Sequence, residues 1–465
     1  MKIKLFFPIL VVIALGICPI KVSVQEALHC IQDAQTCPTE LPQTTAYRHI
    51  LDIEPWRVAL WEDLAETEME NENWQAAVNA FQSAADNQSL SSNGLSTMGF
   101  ALLNAGQEET ALQLWLNLIE NEQASHTIFE EIFPRLLNNL EIETAEQVLS
   151  YWTAFEPENA QVQMQSGLLK LLRSHTEAAE FLETAAEIDA SLSPVVKSIE
   201  RAISQAHLND NAAYQQLTIA RALANQGYPL HAELLCAQSV QLNPGYAEAW
   251  AFLGEMQQQN GRGGLIALET AFELDSESLL TRSLLALYWQ RQQEPQKAIE
   301  IFSQFSEEYP DQLIWQTELA KATAQNGDIP AGLEILMTAL KNAPENDAFD
   351  SIELANYCAV YRTEIDTLGL PNARQALLIE GNTLRALSAM GNVLFSLNDL
   401  DSAQRYYQSA LEIEPNEPTI FFQLGMIAYQ QEEHEDARFY FNSVLLVAPA
   451  NSEIYAAAQR MLENL

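Results

Sequence analysis

Positive charge is what this chain has least of. Lys and Arg number 23 against 63 Asp and Glu, a formal net charge of −40 over 465 residues. Such a surface repels nucleic-acid phosphates and anionic lipid head groups, so nucleic acid is not expected as a partner and a basic or neutral protein is. The acid excess also serves, by itself, to keep a long chain soluble. Catalytic signatures are missing too. There is no Gly-x-Gly-x-x-Gly, no phosphate loop ending in Gly-Lys-Ser or Gly-Lys-Thr, no Gly-x-Ser-x-Gly and no His-x-x-x-His pair. Acid pairs such as Glu130-Glu131, Glu307-Glu308 and Glu432-Glu433 abound, but in so acidic a chain they read as solvated helix faces. Neither metal nor cofactor is expected, and no enzyme activity.

Long apolar runs are also missing, with one exception. Lys2 and Lys4 precede an uncharged run from Leu5 to Ile20, which Lys21 closes. The run exceeds the ~7–15 residues of a signal-peptide core and falls short of the ~20 of a comfortable span. Residues 1–24 are therefore read as a cleaved signal or an uncleaved signal-anchor. Lipid attachment at Cys18 and a buried helix stand as further options. Either leading option puts the body outside the cytoplasm, secreted, periplasmic or at the cell surface, or anchored in the membrane.

Five cysteines are present. Cys30 and Cys37 sit in a Pro- and Thr-containing linker, residues 25–57, where they could form a local disulfide or remain two thiols. With only His29 nearby, they lack the further ligands zinc needs.

Apolar residues make up 48% of the chain, against global disorder. Small residues recur every 34 positions: Ala65 and Gly99; Ala77, Ala111 and Ala145; Ala220 and Gly254; Ala286 and Ala320; Ala298 and Gly332; Gly391 and Gly425; Ala403 and Ala437. Pro310 and Pro344, and Pro415 and Pro449, keep the same step. Between the markers, apolar residues three and four apart predict helices, for example Phe421, Leu424, Gly425 and Ala428, then Ala437, Phe441 and Val444. Two antiparallel helices approach closely only where side chains are small, and a large neighbour such as Trp115, Phe302 or Tyr407 fills the adjoining gap.

These residues resemble the tetratricopeptide repeat. Trp250-Ala251-Phe252-Leu253-Gly254 matches the start of its pattern, and Ala410-Leu411-Glu412-Ile413-Glu414-Pro415 matches its end. About eleven units are found, beginning near Val58, Ser92, His126, Ala160, Ala213, Ala247, Leu279, Leu313, Asp347, Leu384 and Pro418. The resemblance implies an all-α, right-handed superhelical solenoid of helix–turn–helix units. The domain reading is a first block at 58–192, an extra helix or joint at 193–212, a second block at 213–346, an atypical unit at 347–383, a third block at 384–451 and a capping helix at 452–465. Pro134 should kink or shorten a first helix. Gly369-Leu370-Pro371 reads as a loop.

The resemblance further implies an inner groove lined by the first helix of each unit, with contacts from the second, fifth, ninth, twelfth and thirteenth positions. The thirteenth positions are Asn104, Asn138, Asn225, Gln259, Arg291, Gln325, Ser396 and Gln430, with Glu70 in the first unit. A row of amides could grip a peptide backbone. Equally, polar residues are ordinary near a helix end. At the ninth position only Arg221 and Lys321 are basic, which argues against a clamp for a C-terminal carboxylate. Glu62, Glu66 and Glu70 favour a basic segment instead. The expected function is a non-catalytic scaffold binding peptide segments or partner proteins. The alternative is an accessory subunit of a secretion, cell-envelope or glycan-polymer assembly, with the repeats as a spacer.

Overall fold

A computed structural model describes residues 43–87, 89–341, 348–448 and 452–465, together with Ala27. The apolar N-terminal segment, Cys18, Cys30 and Cys37 lie outside the described residues. Among those described there is no strand, and no helix is long and apolar enough to cross a membrane.

The elements open with α1 (Gln43–Leu51). Helix pairs follow: α2 (Val58–Glu70) and α3 (Trp74–Asn87), α4 (Ser92–Asn104) and α5 (Glu108–Glu120), α6 (His126–Asn138) and α7 (Ile142–Phe155), α8 (Ala160–Lys170) and α9 (His175–Ile188). Then come a 3₁₀ turn, Ala190–Leu192, and an inserted helix, α10 (Ser193–Ala206). Pairing resumes with α11 (Ala212–Asn225) and α12 (Pro229–Leu242), α13 (Ala247–Gln259) and α14 (Leu265–Leu274), α15 (Leu279–Arg291) and α16 (Pro295–Glu308), α17 (Leu313–Gln325) and α18 (Ile329–Lys341). Next, α19 (Ala348–Tyr361) leads through a π-helical turn, Ile365–Gly369, into α20 (Leu370–Glu380). The last pairs are α21 (Leu384–Ser396) with α22 (Leu400–Ile413) and α23 (Pro418–Gln430) with α24 (His434–Val447), and α25 (Glu453–Glu463) ends the chain. This is the all-α array of paired helices that the repeat pattern predicts. By its contacts the chain divides into two compact units, Met1–Gly167 and Leu168–Leu465.

The turn inside every pair but α8–α9 has one geometry. Glu72, Gly106, Leu140, Gly227, Gly261, Gln293, Gly327, Asn398 and Glu432 all adopt positive φ, and each stands two residues after the last residue of a first helix. The turn closes with two backbone bonds, for instance Gly327 N to Ala324 O and Asp328 N to Thr323 O. These satisfy carbonyls that the helix end would otherwise leave open.

A second device starts the first helices. The side-chain N–H of the fourth residue of a unit reaches back six residues to a loop carbonyl: Trp61 to Pro55 O (2.9 Å), Gln163 to Pro157 O (2.7 Å), Trp250 to Pro244 O (2.8 Å) and Gln316 to Pro310 O (3.2 Å). In the unit that follows α10, Gln215 does the same to Asn209 O (2.7 Å). Side-chain caps by Ser91, Asn211, Ser278 and Thr383 add N-terminal acceptors.

The small-residue series marks the helix crossings. Ala77, Ala111, Ala145, Ala286, Ala298, Ala320, Ala403 and Ala437 are all fully buried. A Cβ on Gly99 would overlap the Trp115 indole, and one on Gly391 would overlap the Tyr407 ring. The large residue therefore occupies the space that glycine leaves.

The shortening expected at Pro134 and the loop expected at Gly369-Leu370-Pro371 are both corrected. The helix α6 runs its full 13 residues through Pro134 and is not shortened. Gly369-Leu370-Pro371 is not a loop: Gly369 closes the π turn and Pro371 lies in the first turn of α20. Proline is tolerated there because that N–H has no helical acceptor.

Candidate protein-binding face

The predicted contact residues all stand on first helices. Glu70, Asn104, Asn138, Asn225, Gln259, Arg291, Gln325, Ser396 and Gln430 are each the last helical residue before a left-handed turn. The register of the repeat is thus the register of the helix ends. Glu70, Asn104, Asn138, Asn225, Gln259, Arg291, Gln325 and Gln430 are exposed, and Ser396 is half-buried. Some are engaged locally. Asn104 Nδ2 donates to Phe100 O (2.8 Å), Gln259 Nε2 donates to Glu255 Oε1 (2.9 Å), and Ser396 Oγ donates to Asn392 O and to Ala359 O (2.9 Å each).

In the unit Met1–Gly167 the acids of α2 dominate. Glu62 accepts from Ser91 N (3.0 Å) and from Ser91 Oγ (3.1 Å), so it ties α2 to the start of α4. Glu66 and Glu70 are exposed. Partial burial, then the charges of Asp63, Glu62 and Glu70, push the Glu66 carboxyl above its ordinary pKa; burial and Glu62 do the same to Asp63. Over residues 43–167 the only Lys or Arg residues are Arg48, Arg57 and Arg135. Each is already paired within the unit: Arg48 with buried Glu68 (2.6 Å), Arg57 with Glu54 (2.5 Å), Arg135 with Glu131 (3.2 Å). A cavity of about 600 Å³ lined by Arg48, Glu68, Asn73 and Trp74 lies beside the first of these pairs.

His126, at the start of α6, is held from both sides. Its Nδ1 lies 2.7 Å from Glu156 Oε1 and its Nε2 lies 3.0 Å from Glu130 Oε1. Burial opposes charge on the ring, but the bonds and charges of Glu156 and Glu130 outweigh it and raise the imidazole pKa. Glu156 shifts the opposite way: burial is overcome by bonds from Asn159, His126 and Trp152.

In the unit Leu168–Leu465 three cations of the first helices bridge neighbouring helix pairs, while Arg282 of α15 pairs with Glu308 of α16 within its own pair (2.9 Å). Arg221 on α11 pairs with Glu248 on α13, and its guanidinium lies 4.5 Å from the centre of the Phe252 ring. Arg291 on α15 meets Glu255 on α13 (2.9 Å). Lys321 on α17 sits between Glu318 on its own helix and Glu353 on α19, 3.1 Å from each. Further on, Asn392 of α21 donates to Asn356 of α19 (3.0 Å) and accepts from Tyr407 OH (2.6 Å). Arg221 and Arg291 are legible as groove residues in the sequence; the Arg221 partner Glu248 and the bridging Glu353, Asn356 and Asn392 are not. Their signal was present: Glu248 holds the second position of its unit. An acid there is indistinguishable, in so acidic a chain, from a solvated one.

The arrangement offers little to covalent chemistry. Burial pushes the Cys236 thiol up to about 12 and the Cys358 thiol up to about 11, away from the reactive thiolate. His231 is buried, and burial pushes it down to about 4. Among the described residues no group of three or more His, Cys, Asp or Glu could hold a metal ion.

Models of the tetratricopeptide repeat match residues 284–311 and 377–462. No curated protein matches the chain by sequence. Among solved structures it is similar to yeast Tom70, at 15% identity and a TM-score of 0.44, covering 91% of each chain. It is also similar to a tetratricopeptide repeat protein from Parabacteroides merdae, at 13% identity and a TM-score of 0.43, covering 57% of this chain and 98% of that one. A third similarity is to the Cut9–Hcn1 hetero-tetramer of the APC/C, at 13% identity and a TM-score of 0.39, covering 95% of each chain.

Proposed function

We propose that this chain, whose matched segments are tetratricopeptide repeats, is a non-catalytic scaffold that holds a basic segment of a partner protein against the first helices of the unit Met1–Gly167. One observation carries the reading. Arg48, Arg57 and Arg135 are all consumed by acids within that unit, while Glu66 and Glu70 remain exposed and the Glu66 and Asp63 carboxyls repel one another. A Lys or Arg side chain docking there relieves that repulsion, and its attraction is screened by salt. The lysines flanking the apolar N-terminal run support a place outside the cytoplasm or at the membrane.

The test is binding of the full chain to labelled peptides of equal length, one Lys/Arg-rich and one Glu-rich, at low and at physiological salt. Preferential, salt-sensitive binding of the basic peptide, weakened by Glu66→Gln with Glu70→Gln, is the expected outcome. Equal binding of both peptides would sink it. Affinity capture with the full chain as bait, read by mass spectrometry, would name the partner. A second reading, a spacer subunit of an envelope assembly, draws support from the cross-pair bridges Arg221–Glu248, Arg291–Glu255 and Lys321–Glu353, which stiffen the second unit.

A further inference from the structure

The inserted helix α10 interrupts the pairing of helices and is joined to α9 by an unusual contact. His175 is the first residue of α9 and His207 caps the C-terminus of α10. His175 Nδ1 lies 3.0 Å from His207 Nε2, with ring centroids 5.2 Å apart. The centroid separation exceeds the nitrogen separation by nearly two ring radii, so the nitrogens point at each other. That is the geometry of one N–H···N hydrogen bond.

Such a contact has room for a single proton. One ring nitrogen donates it and the other accepts. A charge on one ring leaves the bond intact. A charge on both sets two N–H donors and two like charges face to face, and the contact must open.

Burial, then the charge of His207, hold His175 below the usual imidazole range. Lys170, the last residue of α8, is paired with Glu177 of α9 (3.1 Å), and Arg173 follows in the connecting turn. On α10 stand Lys197, Glu200 and Arg201, and Asp210 follows it. The helix α12 touches this region through neutral Gln238, which donates to Leu172 O (3.0 Å).

We propose that the His175–His207 contact is an acid-released latch, which pins the end of α10 on α9 at neutral pH and frees it in mild acid. The sign follows from the direction of the shift. A histidine depressed in the folded state contributes stability that is complete above the free-imidazole pKa and is lost as pH falls through the depressed value. Released, α10 keeps its apolar face (Val196, Ile199, Ala202, Ile203 and Ala206) as its hold on the fold. The joint then softens without the chain unfolding.

Hydrogen exchange of the full chain, corrected for intrinsic rates, tests this between about pH 7.5 and about pH 5. Protection over residues 193–211 should fall about tenfold on acidification, while that of α11 and α12 holds. The double variant His175→Asn, His207→Asn should show no such pH dependence. Unchanged protection in the natural chain, or the same fall in the variant, would overturn the proposal. Should the variant fail to fold, histidine NMR titration of the natural chain decides. Assigned titrations of His175 and His207 that perturb one another, with His175 below the free range, support the latch; independent titrations of these two rings refute it.

Discussion

At the scale of single residues, the left-handed position of each turn is filled unevenly. Gly106, Gly227, Gly261 and Gly327 take it without strain, whereas Glu72, Leu140, Gln293, Asn398 and Glu432 force an L residue into positive φ. Gln293 is exposed, so Gln293→Gly relieves strain and removes little packing. It should raise stability by about 1 kcal/mol, and Gly327→Ala should lower it by a similar ~1 kcal/mol. Denaturant unfolding of the two variants must move in opposite directions. The helix crossings give a sharper test. Ala111 is fully buried between helices, and Ala111→Leu should cost roughly 1–3 kcal/mol by overpacking. An unchanged melting temperature would contradict the assigned crossing.

At the scale of elements, first helices at Val58, Ser92, His126 and Ala160, at Leu279 and Leu313, and at Leu384 and Pro418 keep the 34-residue step, even though the repeats are degenerate. The step was legible because burial tolerates only small side chains at the crossings, and that constraint repeats. The tie from the fourth residue back to the loop was not legible. Trp61, Gln163, Gln215, Trp250 and Gln316 share an N–H donor, not a hydropathy, so an apolar pattern cannot align them. Trp250→Phe keeps the ring and loses the donor, and should cost about 0.5–1.5 kcal/mol, with Trp250→Gln recovering part of it. A thermal melt of the two variants compares them directly. The His126 clamp adds a pH term of known sign. Its folded pKa is raised, so its stabilisation is complete below the free-imidazole value and fades as pH rises through the raised one. The difference in melting temperature between the natural chain and His126→Asn should therefore be larger at about pH 6 than at about pH 9.

At the scale of the molecule, the two units spend their few cations differently. In Met1–Gly167 they pair with Glu68, Glu54 and Glu131 and leave Glu66 and Glu70 of α2 exposed, whereas in Leu168–Leu465 Arg221, Arg291 and Lys321 tie first helices together. Binding of a basic partner should therefore weaken steeply with added salt, while the melting temperature, dominated by apolar burial, should change little. Titrating sodium chloride in a binding assay and in a thermal melt separates the two.

Composition and spacing alone dictate that this chain forms paired helices, where each begins and which small residues meet, because those properties depend on local periodicity and on side-chain volume. They also place Asn104, Asn138, Gln259 and their counterparts at equivalent positions. Which of those residues are engaged was settled only by folding. Arg291 finds Glu255 36 residues away, and His175 finds His207 32 residues away. A hydrogen bond or an ion pair depends on ångström distances between side chains brought together from different helices, and no one-dimensional pattern carries those distances.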